Sequence, residues 1–436
     1  MRIARIAAAC SLLLLAAPAA RADDREEQLR QFFSSGMKSF RSGQYSEAAV
    51  AFEKFLELNP EPDLVLSLEA EAGQMALQQM LLARTDGLQE IARRILRKSE
   101  ESRRRASADP AMIQSLVAEV DRVREKDDAQ GFEAYIDAKD RLIRIGAPAA
   151  PALIECLIDE PHHKVRARVQ VTLVEMRREA VLPLVAALSD SRPFMRQCVC
   201  FVLGQIADAR ATAALKARFD DPKELSEIRD AASSALTKIT RADPAGLPPA
   251  PVCFFRLAEG YHDAAPDIAR SPLETDRTVW YFDAQRSKVM GRAVPGYSYN
   301  DHMAEQACYE ALRIDPDYAP VLPLLVCVTF TQMREVERAL ALETQRLVSG
   351  EGDASRVDAL KARRAALAKG RALALSTGRS PLYAALQRAM DHGEIPVAQA
   401  CLETLGDLED SQWLPSNARV PEITGAWGRA RYFPAP

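Results

Sequence analysis

Histidine, cysteine and clustered arginine are the residues of this chain whose chemistry could go beyond packing. The histidines are His162, His163, His262, His302 and His392. None belongs to an H-E-x-x-H pair, the spacing that puts two imidazoles on one helix face around zinc. His162-His163 follows Pro161 in a stretch that reads as an inter-helix turn, and no further ligand stands at a chelating spacing. Tyr261-His262-Asp263 could orient an imidazole, but no nucleophile is marked beside it. There is no G-x-S-x-G and no Gly-rich phosphate loop ahead of a helix. These absences predict no catalytic residue, no metal site and no cofactor, so the chain reads as a non-enzyme.

Cys156, Cys198, Cys200, Cys253, Cys308, Cys327 and Cys401 follow Cys10. None forms a C-x-x-C pair, and they are scattered through apolar helical positions. An exported protein could oxidise them, but the spacing favours small buried hydrophobes. Cys198 and Cys200, two apart on a helix, face away from each other and cannot chelate. The basic run Arg93, Arg94, Arg97, Lys98, Arg103, Arg104 and Arg105 could meet phosphate. It lacks interleaved aromatic residues, and Glu100 and Glu101 break it, so a solvated helix end is expected. Net charge of −4 over 436 residues gives no global field to recruit nucleic acid.

The elements that position these residues are helical and periodic. Leu142, Leu173 and Leu203 share one phase of a ~31-residue period, Leu153, Leu184 and Leu215 a second, and Asp159, Asp190 and Asp221 a third. Such a period means stacked helix pairs, each too small to bury its apolar face alone. Arg166, Arg196 and Arg229 stand near the starts of the first helices and are expected to pair with the Asp ladder of adjoining units. LIRIGAPAAPALIECLIDE, LVEMRREAVLPLVAALSD and LGQIADARATAALKARFDD show the shared frame. This frame resembles HEAT repeats of the short, lyase-like bacterial type. Upstream, Phe32, Gly36, Gly43, Tyr45, Ala48, Phe52 and Pro60 fall at the spacing of a tetratricopeptide repeat, which the stretch Gly36 to Pro60 resembles. In that reading Gly36 and Ala48 let two helices approach, Gly43 turns the chain, Tyr45 and Phe52 fill the groove, and Pro60 ends the second helix. His302 to Pro316 resembles the second helix of another such repeat, and Leu382 to Gly406 is similar to the HEAT frame.

One segment breaks the helical character. Thr278 to Asp283 (TVWYFD) is aromatic and β-branched, Ala284 to Ser287 is polar, and Lys288 to Val294 is partly apolar again. This predicts a β-hairpin with a four-residue turn. On an alternating strand Trp280 and Phe282 share one face and Tyr281 takes the other. One face is expected to pack on the helices and the other to be free for a ligand. Trp280, Tyr281 and Phe282 are therefore the candidate partner-binding residues, a hairpin that only lids a groove being the alternative.

The expected fold class is all-α, a helical-repeat solenoid with one short β-hairpin. The expected organisation is a signal peptide at 1–22, a tetratricopeptide-like domain at 23–130 and a HEAT array at 131–243. A linker and hairpin follow at 244–300, then tetratricopeptide-like helices at 301–350, a HEAT-like unit at 351–408 and an irregular tail at 409–436. Arg2 and Arg5, the apolar run Ile6 to Ala20 and the small-x-small triplet Ala20-Arg21-Ala22 carry the signal. The run of about 15 residues is short for a membrane span, so the mature chain is expected to be exported, periplasmic or secreted, with no integral membrane segment. The order of parts resembles helical-repeat proteins of bacterial envelopes, from Arg25 to Leu408. That resemblance implies protein–protein contact: an exported scaffold or adaptor binding a protein or peptide along a solenoid groove, with no nucleic-acid partner. An envelope enzyme acting on an extended ligand, or a purely structural envelope component, are the alternatives.

Overall fold

The computed structural model describes residues 17–72, 74–82, 86–107, 109–122, 129–158, 163–269, 276–350 and 352–410. Most of the expected signal's apolar run (6–16), Asp159, His162 and the expected tail from residue 411 lie outside them. Among the described residues there are nineteen α-helices and 80% of the positions are helical, far above the usual third, so the fold class is all-α. The one sheet among the described residues is a two-stranded antiparallel ribbon. Contacts divide the chain into two compact units, Met1–Ser115 with Asp140–Ile145, and Leu116–Lys139 with Gly146–Pro436.

The first unit is built from α1 (Ala17–Arg41), α2 (Tyr45–Glu57), α3 (Pro62–Ala72), α4 (Gln74–Leu82) and α5 (Asp86–Ser107), with the start of α6 (Pro110–Arg122) beyond them. Its core is aromatic at one end, where Phe33 packs edge-on against Phe52 at 5.7 Å and beside Phe55 at 5.3 Å. Gly36 lies against the Phe52 ring. Tyr45 does not fill this groove as expected. It opens α2 at the surface, 43% exposed, beside Phe40, because the three phenylalanines already occupy the space. The basic run of α5 is largely paired: Arg93 with Glu90, Arg94 with Glu53, Lys98 with Asn59 and Arg105 with Glu101.

The second unit takes in the end of α6 and the first part of α7 (Ala129–Ile145), then continues through α8 (Ala150–Glu155), α9 (His163–Glu175), α10 (Arg178–Ala187), α11 (Pro193–Ile206), α12 (Thr212–Asp220) and α13 (Ser226–Thr240). The six leucines of the two phases, Leu142, Leu153, Leu173, Leu184, Leu203 and Leu215, are all fully buried. Each withdraws a complete apolar side chain from water. Gly204 is where α11 meets α13. A Cβ there would stand 2.9 Å from the Ala235 Cα, so only glycine permits this approach.

Among the described residues the arginines of the repeats hold backbone carbonyls rather than the carboxylates of Asp190 and Asp221. Arg166 donates to the Leu157 carbonyl at 3.0 Å, Arg196 to the Asp190 carbonyl at 2.7 Å, and Arg229 to the Phe219 carbonyl at 3.2 Å. Each therefore caps the C-terminal carbonyls of the preceding second helix, where helix ends leave acceptors unpaired and partial negative charge. The Asp190 carboxylate is taken by Arg192 instead, and Arg196 reaches Glu224 at 2.6 Å.

Past the Pro-rich segment, α14 (Ala250–His262) leads to β1 (Asp276–Asp283) and β2 (Lys288–Pro295). Then come α15 (Gly296–Ile314), α16 (Val321–Val348), α17 (Ala354–Thr377), α18 (Arg379–Asp391) and α19 (Ile395–Asp410). The α14–α15 pair and the hairpin share one core with the start of α16, and α18 and α19 pack on the middle of α16 around Phe330 and Cys401.

Candidate functional site

The hairpin pairs Asp276 with Pro295 through to Asp283 with Lys288, so its turn is Ala284 to Ser287. Asp283 stabilises that turn. Its Oδ1 accepts from the backbone N–H of Gln285 and Arg286 at 3.0 and 3.1 Å, and Oδ2 meets the Arg286 guanidinium at 2.8 Å. Gly291 opposite Trp280 is required, because a Cβ there would lie 2.9 Å from the indole. Val279 and Val294 are buried on one face, and Trp280, Phe282 and Val289 on the other. Neither face is wholly free, contrary to the expectation from alternation. The ribbon packs against α8, α10 and α15, which cover it from more than one direction. Tyr281 remains half-buried.

Under the ribbon lies a cavity of about 310 Å³, and Trp280, Tyr281 and Phe282 all line it. The remaining walls come from α10, α12, α14 and α15. They are mostly apolar: Leu182, Val185, Ala214, Ala217, Phe254, Leu257, Met303 and Ala307. Four charged side chains reach it. Arg210 is buried and held by Asp208 through two contacts of 2.9 Å, with a further hydrogen bond of 2.8 Å to the Arg178 carbonyl. Arg218 stands 3.3 Å from Glu224, and Arg313 pairs with Glu310 at 2.8 Å near the surface. Gln306 also lines the cavity, and its amide oxygen is buried without a hydrogen-bond partner. An apolar chamber with a few polar groups is the common form of a ligand site, and this one lies at the small end of the ~300–1,000 Å³ range. Arg210, Arg218, Gln306 and Arg313 were not singled out from the sequence. The available signal was on α15, where Met303, Gln306, Ala307, Glu310 and Arg313 recur at helical spacing and so share one face.

A second polar cluster sits behind α14. His262 is buried, its Nδ1 2.9 Å from Asp301 Oδ1 and its Nε2 3.5 Å from Glu394 Oε1. Burial would lower the imidazole pKa, but hydrogen bonding to the two carboxylates outweighs it and raises the value to about 9. The hydrogen bond to His262 holds Glu394 below the usual carboxylate range against its burial. Burial pushes Asp301 up, and burial with the nearby Asp301 charge pushes Glu335 up to about 9. Arg388 ties the same region together, donating to Glu259 at 2.8 Å and Asp263 at 2.9 Å. With a carboxylate at each ring nitrogen, His262 holds a proton as an imidazolium clamp between α14, α15 and the start of α19. Asp263 does not orient it. That residue meets Arg388 and His392 instead.

His302 is buried against Arg363, and the side chain of His163 falls outside the described residues. All seven later cysteines are free thiols. Burial pushes Cys200 and Cys401 up to about 12, and raises Cys308 and Cys327 as well, so these thiols are poor nucleophiles. Among the described residues no group of three potential ligands could hold a metal ion, and no helix is long and apolar enough to cross a membrane.

No curated protein matches the chain. Residues 150–237, from the start of α8 to within α13, match the family model for HEAT repeats. The matched stretch carries the Leu184 and Leu203 phases, the carbonyl-capping Arg196 and Arg229 and the α10 and α12 walls of the cavity. The chain is therefore an all-α helical-repeat protein with a segment, residues 150–237, that is similar to HEAT repeats.

Proposed function

We propose that this protein is a non-enzymatic scaffold that binds a protein or peptide at the hairpin. HEAT repeats are commonly used as protein-interaction scaffolds, and one observation carries the narrower reading. The three aromatic residues of β1 line a cavity whose other walls include two helices of the repeat array. Aromatic side chains concentrate binding energy at interfaces, and half-buried Tyr281 supplies a side chain that a partner could reach. Export to the periplasm or beyond, and a tetratricopeptide-like role for the Gly36–Pro60 pair, complete the proposal. They rest on the sequence resemblance.

The test is affinity capture from an envelope fraction with the wild-type chain and with Tyr281→Ala, read by mass spectrometry. The proposal predicts a partner retained by the wild type and lost from the variant, with the helical circular dichroism spectrum unchanged. Identical captured sets would leave the hairpin as a lid and overturn the assignment.

A further inference from the structure

We propose that the hairpin-roofed cavity seats one tryptophan side chain of an acidic peptide partner. This rests on the scaffold reading above and names its anchor. Size is the first argument. About 310 Å³ is at the bottom of the range for ligand sites, enough for one bicyclic ring and too little for a helix or an extended cofactor. The second argument is the wall chemistry. Trp280, Tyr281, Phe282 and Phe254 offer ring faces and edges to an incoming aromatic ring.

The third argument is the polar handle. Gln306 lines the cavity, and its amide oxygen is buried with no hydrogen-bond partner. A terminal amide turns about its last bond and so presents either its oxygen or its NH₂ to a ligand. An indole N–H satisfies that oxygen, whereas a phenyl ring leaves it unpaired. A site built around such a group rejects the analogue that lacks the donor. The fourth argument is charge. Of the charged residues lining the cavity, Arg210, Arg218 and Arg313 are basic and only Glu310 is acidic. Asp208 and Glu224 already pair Arg210 and Arg218, so Arg313, exposed at the rim beside Glu310, is the cation that acidic residues flanking the tryptophan would meet.

Isothermal titration of the full chain with four probes tests this. The probes are acetyl-Glu-Trp-Glu-amide, acetyl-Glu-Phe-Glu-amide, acetyl-Lys-Trp-Lys-amide and free indole. The acidic tryptophan peptide is expected to bind about tenfold more tightly than each of the others, a discrimination available to a hydrogen-bonding pocket. Gln306→Leu should reduce the tryptophan-to-phenylalanine ratio to about one, since the leucine keeps the volume and removes the acceptor. Ala217→Phe, which fills the chamber, should abolish binding of the acidic tryptophan peptide while leaving the helical spectrum intact. Equal binding of the tryptophan and phenylalanine peptides, a ratio that survives Gln306→Leu, indole as tight as the peptide, or no binding at all would each overturn the proposal. Failure here is separable from failure of the scaffold reading. If no peptide binds but Tyr281→Ala still loses a captured partner, only the tryptophan anchor falls. If the acidic tryptophan peptide binds with the expected preference but capture is indifferent to Tyr281, the anchor chemistry stands and the scaffold reading falls.

Discussion

Replacing His262 by glutamine tests the clamp behind α14 with a magnitude the structure supplies. The imidazole pKa rises from 6.5 to about 9, and its side chain is only 2% exposed, so solvent does little to screen the pair. At about 1.4 kcal/mol per decade, that rise corresponds to roughly 3 kcal/mol of stability from the protonated ring. The sign follows from linkage. A base with a raised folded pKa stabilises fully below its unfolded value, here 6.5, and loses that contribution as pH climbs through about 9. Glu335 and Asp301, both raised, act in the same sense, because ionising a buried carboxyl costs more in the folded state. Glu394, which is lowered, adds stability above its unfolded value and loses it only toward acid, outside this window. The charged groups at or near the ring are thus Asp301 on α15 and Glu394 ahead of α19, with Glu335 on α16, Glu259 on α14, Arg388 on α18, His392 just beyond it and Asp263 beyond α14, while Glu305 on α15 and Arg363 on α17 act on Asp301 and Glu335. Hydrogen exchange of the α14 and α15 peptides, corrected for intrinsic rates, reads the local opening free energy. His262→Gln should lower it by about 3 kcal/mol at pH 6.5, and the gap to wild type should close toward pH 10. A gap of equal size at both ends, or wild-type protection that does not fall with pH, would refute the reasoning.

Leu184→Ala removes a fully buried side chain from the repeat core and should cost on the order of 2–5 kcal/mol. In a near-one-dimensional array the loss of hydrogen-exchange protection should be concentrated in α9 to α12, and an unchanged denaturant midpoint would contradict the phase assignment. Gly204→Ala forces a methyl to within 2.9 Å of the Ala235 Cα, so α11 and α13 must separate. Overpacking of this kind should cost about 1–3 kcal/mol in urea unfolding, and a neutral result would mean the helices can slide apart freely.

What was legible in the sequence was what repeats. Leu153, Leu184 and Leu215 were placed by a period that any stacked helix pair must keep, and all three are buried. The hairpin was legible because three consecutive aromatic residues follow β-branched ones ahead of a polar four-residue break, and its turn falls at Ala284 to Ser287 as read. The packing on both faces was not legible, since alternation along one strand says nothing about how many helices approach it. The repeat arginines misled for a related reason. Arg166 and Arg229 are in phase with an acidic position, but the nearer acceptors are carbonyls at a helix end, which every residue type supplies and no pattern marks. The local signal at His262, the adjoining Asp263, pointed to the wrong carboxylate. Its partner Asp301 lies 39 residues on and Glu394 belongs to a different helix pair, so tertiary packing alone assembles the clamp. Gln306 shares its face of α15 with Met303, Ala307, Glu310 and Arg313, a mixed pattern that gained a meaning only once the cavity was seen.

The central claim is that a partner sits against the hairpin, and site-specific photocrosslinking measures it most directly. A benzophenone amino acid introduced at Ala284, which borders the cavity at the start of the exposed turn, probes the proposed surface. The same group at Tyr383, exposed on α18 and outside the cavity lining, is the control. The account predicts a single crosslinked partner from position 284, competed by acetyl-Glu-Trp-Glu-amide, and no adduct of that mass from position 383. Adducts from both positions alike, or from 383 alone, would contradict it.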